Sequence, residues 1–210
     1  MPVIIDGTNG ITSVDGTASV PSLTGTDTNT GVFFPAADTI AFAEGGAEAV
    51  RIDSNGNLGV NTTTPTSGLQ TAGSSSKSAF KTPNIAEVNT VSATAATGTI
   101  NYDVTTQSVL YYTSNASANW TVNFRGSSGT SLNTLMQTNE SISATFLVTQ
   151  GATAYYNSAV TIDGSSVTPK WQGGTAPTSG NASSIDSYTY VIIKTGSAAF
   201  TVLAAQTKFA

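Results

Sequence analysis

Short runs in which apolar and polar residues alternate, each closed by a Gly-, Asn- or Asp-centred turn, recur along most of this chain. Beyond Pro83 they are Ile100-Asn-Tyr102-Asp-Val104, Val109 to Tyr112, Trp120-Thr-Val122-Asn-Phe124 and Ile142-Ser-Ala144-Thr-Phe146-Leu-Val148. Tyr155 to Ile162, Tyr188 to Ile193 and Phe200 to Leu203 continue the series, with Asp163-Gly164, Gly173-Gly174 and Gly196 between them. A period of two puts one row of side chains in a core and the other in water. About eight such strands predict a β-sandwich, jelly-roll-like, over residues 83–210. One short helix interrupts the pattern: after Ser131 as cap, Leu132, Leu135 and Met136 fall at i, i+3 and i+4. It is expected to plug one end of the sandwich.

The first 65 residues alternate too, but with much less apolar bulk. Thr39-Ile40-Ala41-Phe42-Ala43 leads through Glu44-Gly45-Gly46 into Ala47 to Ile52, and the Gly pair argues against a helix despite the alanines. Around Asn55-Gly56 the register can be derived. A two-residue loop would oppose Ile52 to Gly59 and Asp53 to Leu58, mixing the faces. A three-residue loop, Ser54-Asn55-Gly56 with Gly56 left-handed, opposes Ile52 to Leu58 and Val50 to Val60 and keeps apolar residues together. Val50, Ile52, Leu58 and Val60 form too small a face to stand alone, so they are the candidates for an interface between copies of the chain. Residues 1–30 hold Val3-Ile4-Ile5 and then turn signals at Asp6-Gly7, Asn9-Gly10 and Asp15-Gly16. They read either as a flexible leader or as a docking segment ordered by neighbouring chains. Residues 66–82, with Gly73-Ser74-Ser75-Ser76, read as a Gly/Ser-rich linker. The organisation is thus 1–65 for attachment and oligomerisation, 66–82 as linker, and 83–210 as the sandwich.

Composition narrows the class. Charged residues make up only 9% of the chain, yet Val, Ile, Thr, Tyr and Phe are frequent, so the chain is all-β and ordered, not disordered. The net charge of −5 is unevenly spread: residues 1–76 hold seven acids, Asp6, Asp15, Asp27, Asp38, Glu44, Glu48 and Asp53, against Arg51 alone, and the remainder, with six bases and five acids, is close to neutral. No basic stripe exists to neutralise phosphates, so nucleic acid is not an expected partner. The absence of His and Cys excludes imidazole and thiolate chemistry and disulfides. No signal peptide and no membrane-spanning run is read, so synthesis in a cytoplasm without membrane insertion is expected.

The segment Arg51–Pro65, RIDSNGNLGVNTTTP, resembles one that recurs in bacteriophage tail-fibre and other virion structural proteins, notably of marine and cyanobacterial phages. Asn119–Met136, NWTVNFRGSSGTSLNTLM, and the closing FTVLAAQTKFA are similar to domains of marine phage virion proteins. The resemblance implies an intertwined homotrimeric fibre segment followed by the sandwich. It implies a location in the virion, on the tail more than the head. Residues 1–65 would hold other virion proteins, and the sandwich would meet a host surface glycan or protein. Adsorption would work through avidity, several weak sites repeated on one particle. A capsid decoration or head-fibre protein without a receptor role is the alternative, and a polysaccharide depolymerase a third.

Candidate chemistry is sparse. A glycosidase needs a pair of carboxylates. The C-terminal acids, Glu87, Asp103, Glu140, Asp163 and Asp186, include no two at a spacing that sets them on one strand face. No catalytic role is assigned, and the chain is read as a non-enzyme. Asp53-Ser-Asn55-Gly-Asn57 has Leu58 and Thr64 where a calcium loop needs Gly and Glu. It is a turn, and neither metal nor cofactor is expected. Trp120 reads as core. Tyr112 and Tyr156, each from an adjacent Tyr pair, and Trp171 beside Gly173-Gly174 are the candidates for a binding surface.

Overall fold

The structure, a computed structural model, describes residues 4–6, 10–12, 14–73 and 79–209. It divides into two compact units, Met1–Asn84 and Ile85–Ala210. Of the expected features, the turn at Gly7–Asn9 and the Ser74–Ser76 part of the linker lie outside the described residues.

In the first unit, β1 (Ile4–Asp6) and β2 (Gly10–Thr12) pair antiparallel. A six-stranded sheet follows in strict chain order: β3 (Leu23–Thr24), β4 (Gly31–Phe33), β5 (Ile40–Glu44), β6 (Ala47–Ile52), β7 (Leu58–Val60) and β8 (Leu69–Thr71). All neighbours are antiparallel except β7 and β8, which are parallel. The β6–β7 hairpin has the register derived from the sequence, Val50 opposite Val60 and Ile52 opposite Leu58. Its loop is Ser54-Asn55-Gly56, closed by Asp53 N–H donating to Asn57 O at 3.0 Å. Gly56 sits at φ 79°, a conformation that costs an L side chain about 1 kcal/mol or more. The Asp53 carboxylate accepts from the amides of Asn57 (2.8 Å) and Asn55 (2.9 Å), and these bonds hold its pKa below the usual carboxylate range. Asp53 is therefore the clasp of a turn.

The second unit holds β9 (Asn89–Ala95), β10 (Gly98–Asp103), β11 (Val109–Ser114), β12 (Trp120–Arg125), α1 (Leu132–Leu135), β13 (Ser141–Thr149), β14 (Asn157–Ile162), β15 (Ser165–Val167), β16 (Lys170–Trp171), β17 (Ile185–Gly196) and β18 (Ala199–Phe209). They form two sheets, β10-β12-β14-β15 and β16-β18-β17-β13-β11-β9. The all-β class holds, with one short helix. The path departs from a jelly roll, which is built from antiparallel strands. Here β9, β11 and β13 run parallel in one sheet and β10, β12 and β14 run parallel in the other. Consecutive strands fall in opposite sheets, so the chain winds as a two-layer coil of three turns. Only then do β17 and β18 fold back as a long antiparallel hairpin on β13.

The alternation explains the core. Inward residues of both sheets, among them Tyr102, Trp120, Val122, Phe124, Phe146, Val148, Tyr188, Tyr190 and Ile192, are all but fully buried. Their rings meet edge-on, Trp120 with Tyr188 at 5.5 Å and Phe124 with Tyr190 at 4.9 Å between centroids, the geometry favoured by aromatic quadrupoles. The helix lies where the spacing placed it, capped by Ser131, whose side chain accepts from Thr134 N–H. It is a single turn, and Leu132 and Met136 enter the core while Leu135 stays exposed. Its ends are served from distant parts of the chain, the β14–β15 turn and β17. Asp163 accepts from the amides of Leu132 (2.7 Å) and Asn133 (3.0 Å). Buried Lys194 donates to Asn133 O and Met136 O, so carbonyls a helix leaves unpaired are satisfied by a cation.

Candidate functional site

The sheet of the first unit has two unlike faces. One is covered: Phe33, Ala41 and Ala43 are buried there with Ala18 packed on them. Arg51, opposite Ala41 and Gly59, lies on this side and makes a forked pair with Glu48, at 2.5 and 2.8 Å. The pair raises the Arg51 pKa further above its ordinary value.

The other face is bare. Two rows cross it by the strand register: Leu23, Val32, Phe42, Val50 and Val60, then Ile40, Ile52, Leu58 and Leu69. No charged side chain stands in either row. Leu23, Ile40, Phe42, Ile52, Leu58 and Leu69 are between 36% and 55% exposed. In β5 the usual order is inverted, since the large Ile40 and Phe42 face out while Ala41 and Ala43 are buried. A fold that had only its own chain to pack would place the larger side chains inward, because each buried CH₂ contributes about 0.8 kcal/mol. Contiguous exposed apolar faces of this kind mark interaction surfaces.

All four sequence candidates, Val50, Ile52, Leu58 and Val60, lie in these two rows. Sequence reasoning missed the other five, Leu23, Val32, Ile40, Phe42 and Leu69. A signal for two of them was present in the Ile-Ala-Phe-Ala alternation, whose direction a periodicity cannot specify.

The aromatic candidates sit in the second unit, and all three are half-buried against its core. The Tyr112 ring stands edge-on to Phe146 at 5.2 Å, and burial raises its phenol pKa. Tyr156 is tied through its backbone, its N–H donating to Asn119 Oδ1 at 3.1 Å and its carbonyl accepting from Trp120 N–H. Trp171 lies in β16, its ring near those of Tyr188 (6.5 Å) and Tyr190 (6.3 Å). Two cavities share its side chain. One of about 420 Å³ also takes in Lys170, Gln172, Val191 and Leu203, and one of about 260 Å³ takes in Ser158, Ser166, Thr168 and Pro177.

Four of the five acids of this unit hold structural posts. Asp103 pairs with Arg125, Glu140 accepts from Gln137 N–H at 2.7 Å, and Asp163 serves α1. Asp186 is fully buried, and its Oδ2 accepts from Gln150 Nε2 and Asn181 N–H, both at 3.0 Å. Burial raises its pKa above the usual carboxylate value. Gly180 lies so close that a Cβ would come within 2.3 Å of Tyr155 O and 2.6 Å of Asp186 Oδ2, so only glycine lets the loop close over this carboxyl.

Compared with known proteins, the chain matches no family model, no curated protein and no solved structure.

Proposed function

We propose that this chain is a structural subunit of a virion, a short homotrimeric tail fibre in which the bare face of the first unit packs against the same face of two other copies. The observation that carries the oligomer is that face: nine apolar residues in two registered rows, with the larger side chains turned outward. Covering the exposed 40% or so of one such side chain contributes roughly 1 kcal/mol. Several per chain are of the order of the roughly 4–15 kcal/mol that association costs. The three-fold symmetry and the virion role rest on the resemblance of Arg51–Pro65 and Asn119–Met136 to phage structural proteins. In this reading the first unit also attaches to other virion proteins. The second unit meets the host surface, where half-buried Trp171, flanked by hydroxyl-bearing Ser158, Ser166 and Thr168, suits a glycan or protein contact of modest strength repeated for avidity.

Sedimentation equilibrium of the full chain tests the oligomer. A three-chain species is expected, and the double variant Ile52→Lys, Leu58→Lys should dissociate it without changing the far-UV circular dichroism. A wild-type monomer at tens of micromolar, or a double variant that stays trimeric, sinks the reading. Imaging of particles carrying a label on the C terminus tests the tail placement.

A further inference from the structure

The two-layer coil of the second unit is finished at one end and open at the other. Beyond β14 the chain lays β15, and beyond β13 it lays β17, β18 and β16, so the last coil is flanked by the chain's own strands. The first coil, β9 with β10, forms the opposite border of both sheets, and no strand of the described residues pairs with its outer edges. An open edge presents a row of N–H and C=O groups ready to pair with another chain, and stacked-coil proteins need such ends capped. Protected edges carry Lys, Pro, inward charges or a covering segment. The seven residues of β9, Asn-Thr-Val-Ser-Ala-Thr-Ala, include neither charge nor proline, and Val91 among them is 65% exposed.

The same chain carries a segment suited to such an edge. Residues 79–88, directly before β9, belong to no strand, and Phe80 (62%) and Val88 (70%) are exposed there. The far end is anchored, with Val88 O accepting from Ser108 N–H at 2.9 Å. Ten residues span up to about 33 Å when extended. A ring of copies closes when each copy gives one surface and accepts a different one, and this chain holds both. Resting on the trimer reading, we infer that residues 79–83 of one copy add as a strand to the outer edge of β9 in the next, with Phe80 packing beside Val91. Main-chain bonds supply the affinity, as in other strand additions. Pro83 fits a new outermost strand, where a missing N–H is tolerated, and it stops further growth.

The test uses full-length chains, which contain no cysteine. Phe80→Cys and Val91→Cys chains, both changed at exposed sites and differently tagged, are co-assembled and treated with a short bis-maleimide. The expected product contains one chain of each tag. The outward-facing β9 amides should also exchange at least tenfold more slowly in the wild-type trimer than in a Val91→Lys trimer. A trimer with no mixed product and rapidly exchanging β9 amides overturns the strand addition and leaves the trimer standing. Products linking only two Val91→Cys chains overturn it in favour of edge-to-edge pairing. A monomer at every concentration overturns the trimer reading and this inference together.

Discussion

The two units obey the same period-two pattern and put it to opposite use. In the second unit, twenty buried apolar residues among the described ones form one core between two sheets, and each sheet's inward face is covered by the other. In the first, three buried apolar residues among the described ones form the core of a six-stranded sheet, and its richer apolar face is left outside. Alternation therefore states that a strand has an apolar side. It does not state what covers that side. The second unit answers from within the chain, whereas in the first no described residue covers the richer face, and the trimer proposed above would supply the cover.

Substitutions can break this comparison, and the largest effect is expected at Trp120. It is 1% exposed and stands edge-on to Phe146 and Tyr188 of the facing sheet, so Trp120→Ala should cost about 3–5 kcal/mol of second-unit stability. Urea unfolding followed by Tyr and Trp fluorescence would read it. A loss below about 1 kcal/mol would contradict a single shared core. Next is Lys194→Met, which strands the carbonyls of Asn133 and Met136 and should cost about 1–3 kcal/mol. The measurement is the urea midpoint, with hydrogen exchange at α1 as the local readout.

The pH profile sharpens the same contrast. Burial raises the Asp186 pKa above 3.8, so the folded unit binds a proton that the unfolded chain has released. Stability from this group is complete below the unfolded pKa and is lost as pH rises through the folded one. Asp186→Asn should remove that downward slope from the pH dependence of the second-unit midpoint, and an unchanged slope would reject the assignment. The smallest effect on stability is expected on the bare face. Phe42→Ser, at a site 43% exposed, should shift the unfolding free energy of the dissociated chain by no more than about 0.5 kcal/mol. The same change should weaken self-association at least tenfold in sedimentation. If both quantities fall together, Phe42 belongs to an internal core and the contrast between the units fails.

Much of the local structure was legible before any coordinates. The Val50/Val60 and Ile52/Leu58 pairs follow from the demand that apolar residues share a face, and only one loop length meets it. Ser131 followed by Leu132, Leu135 and Met136 announces a helix start through its cap and spacing, and α1 is there. These features depend on residues within a few positions of one another, where side-chain chemistry and turn geometry act directly.

What only the tertiary structure decided involves partners far apart in the chain. The pairing of Val109 with both Asn89 and Thr145, and of Trp120 with Gly98 and Asn157, makes a parallel coil where alternation alone suggested a jelly roll. Every strand of either fold has the same period, so periodicity cannot choose between them. The same reason hid which way Ile40 and Phe42 point, since a period of two is symmetric between the faces until something covers one. It also hid that Asp163 and Lys194 serve the two ends of one helical turn, because no local pattern links residues 30 or 60 positions apart. The sequence determined strands, turns and one register; packing determined the coil, the direction each face points and which apolar face stays exposed.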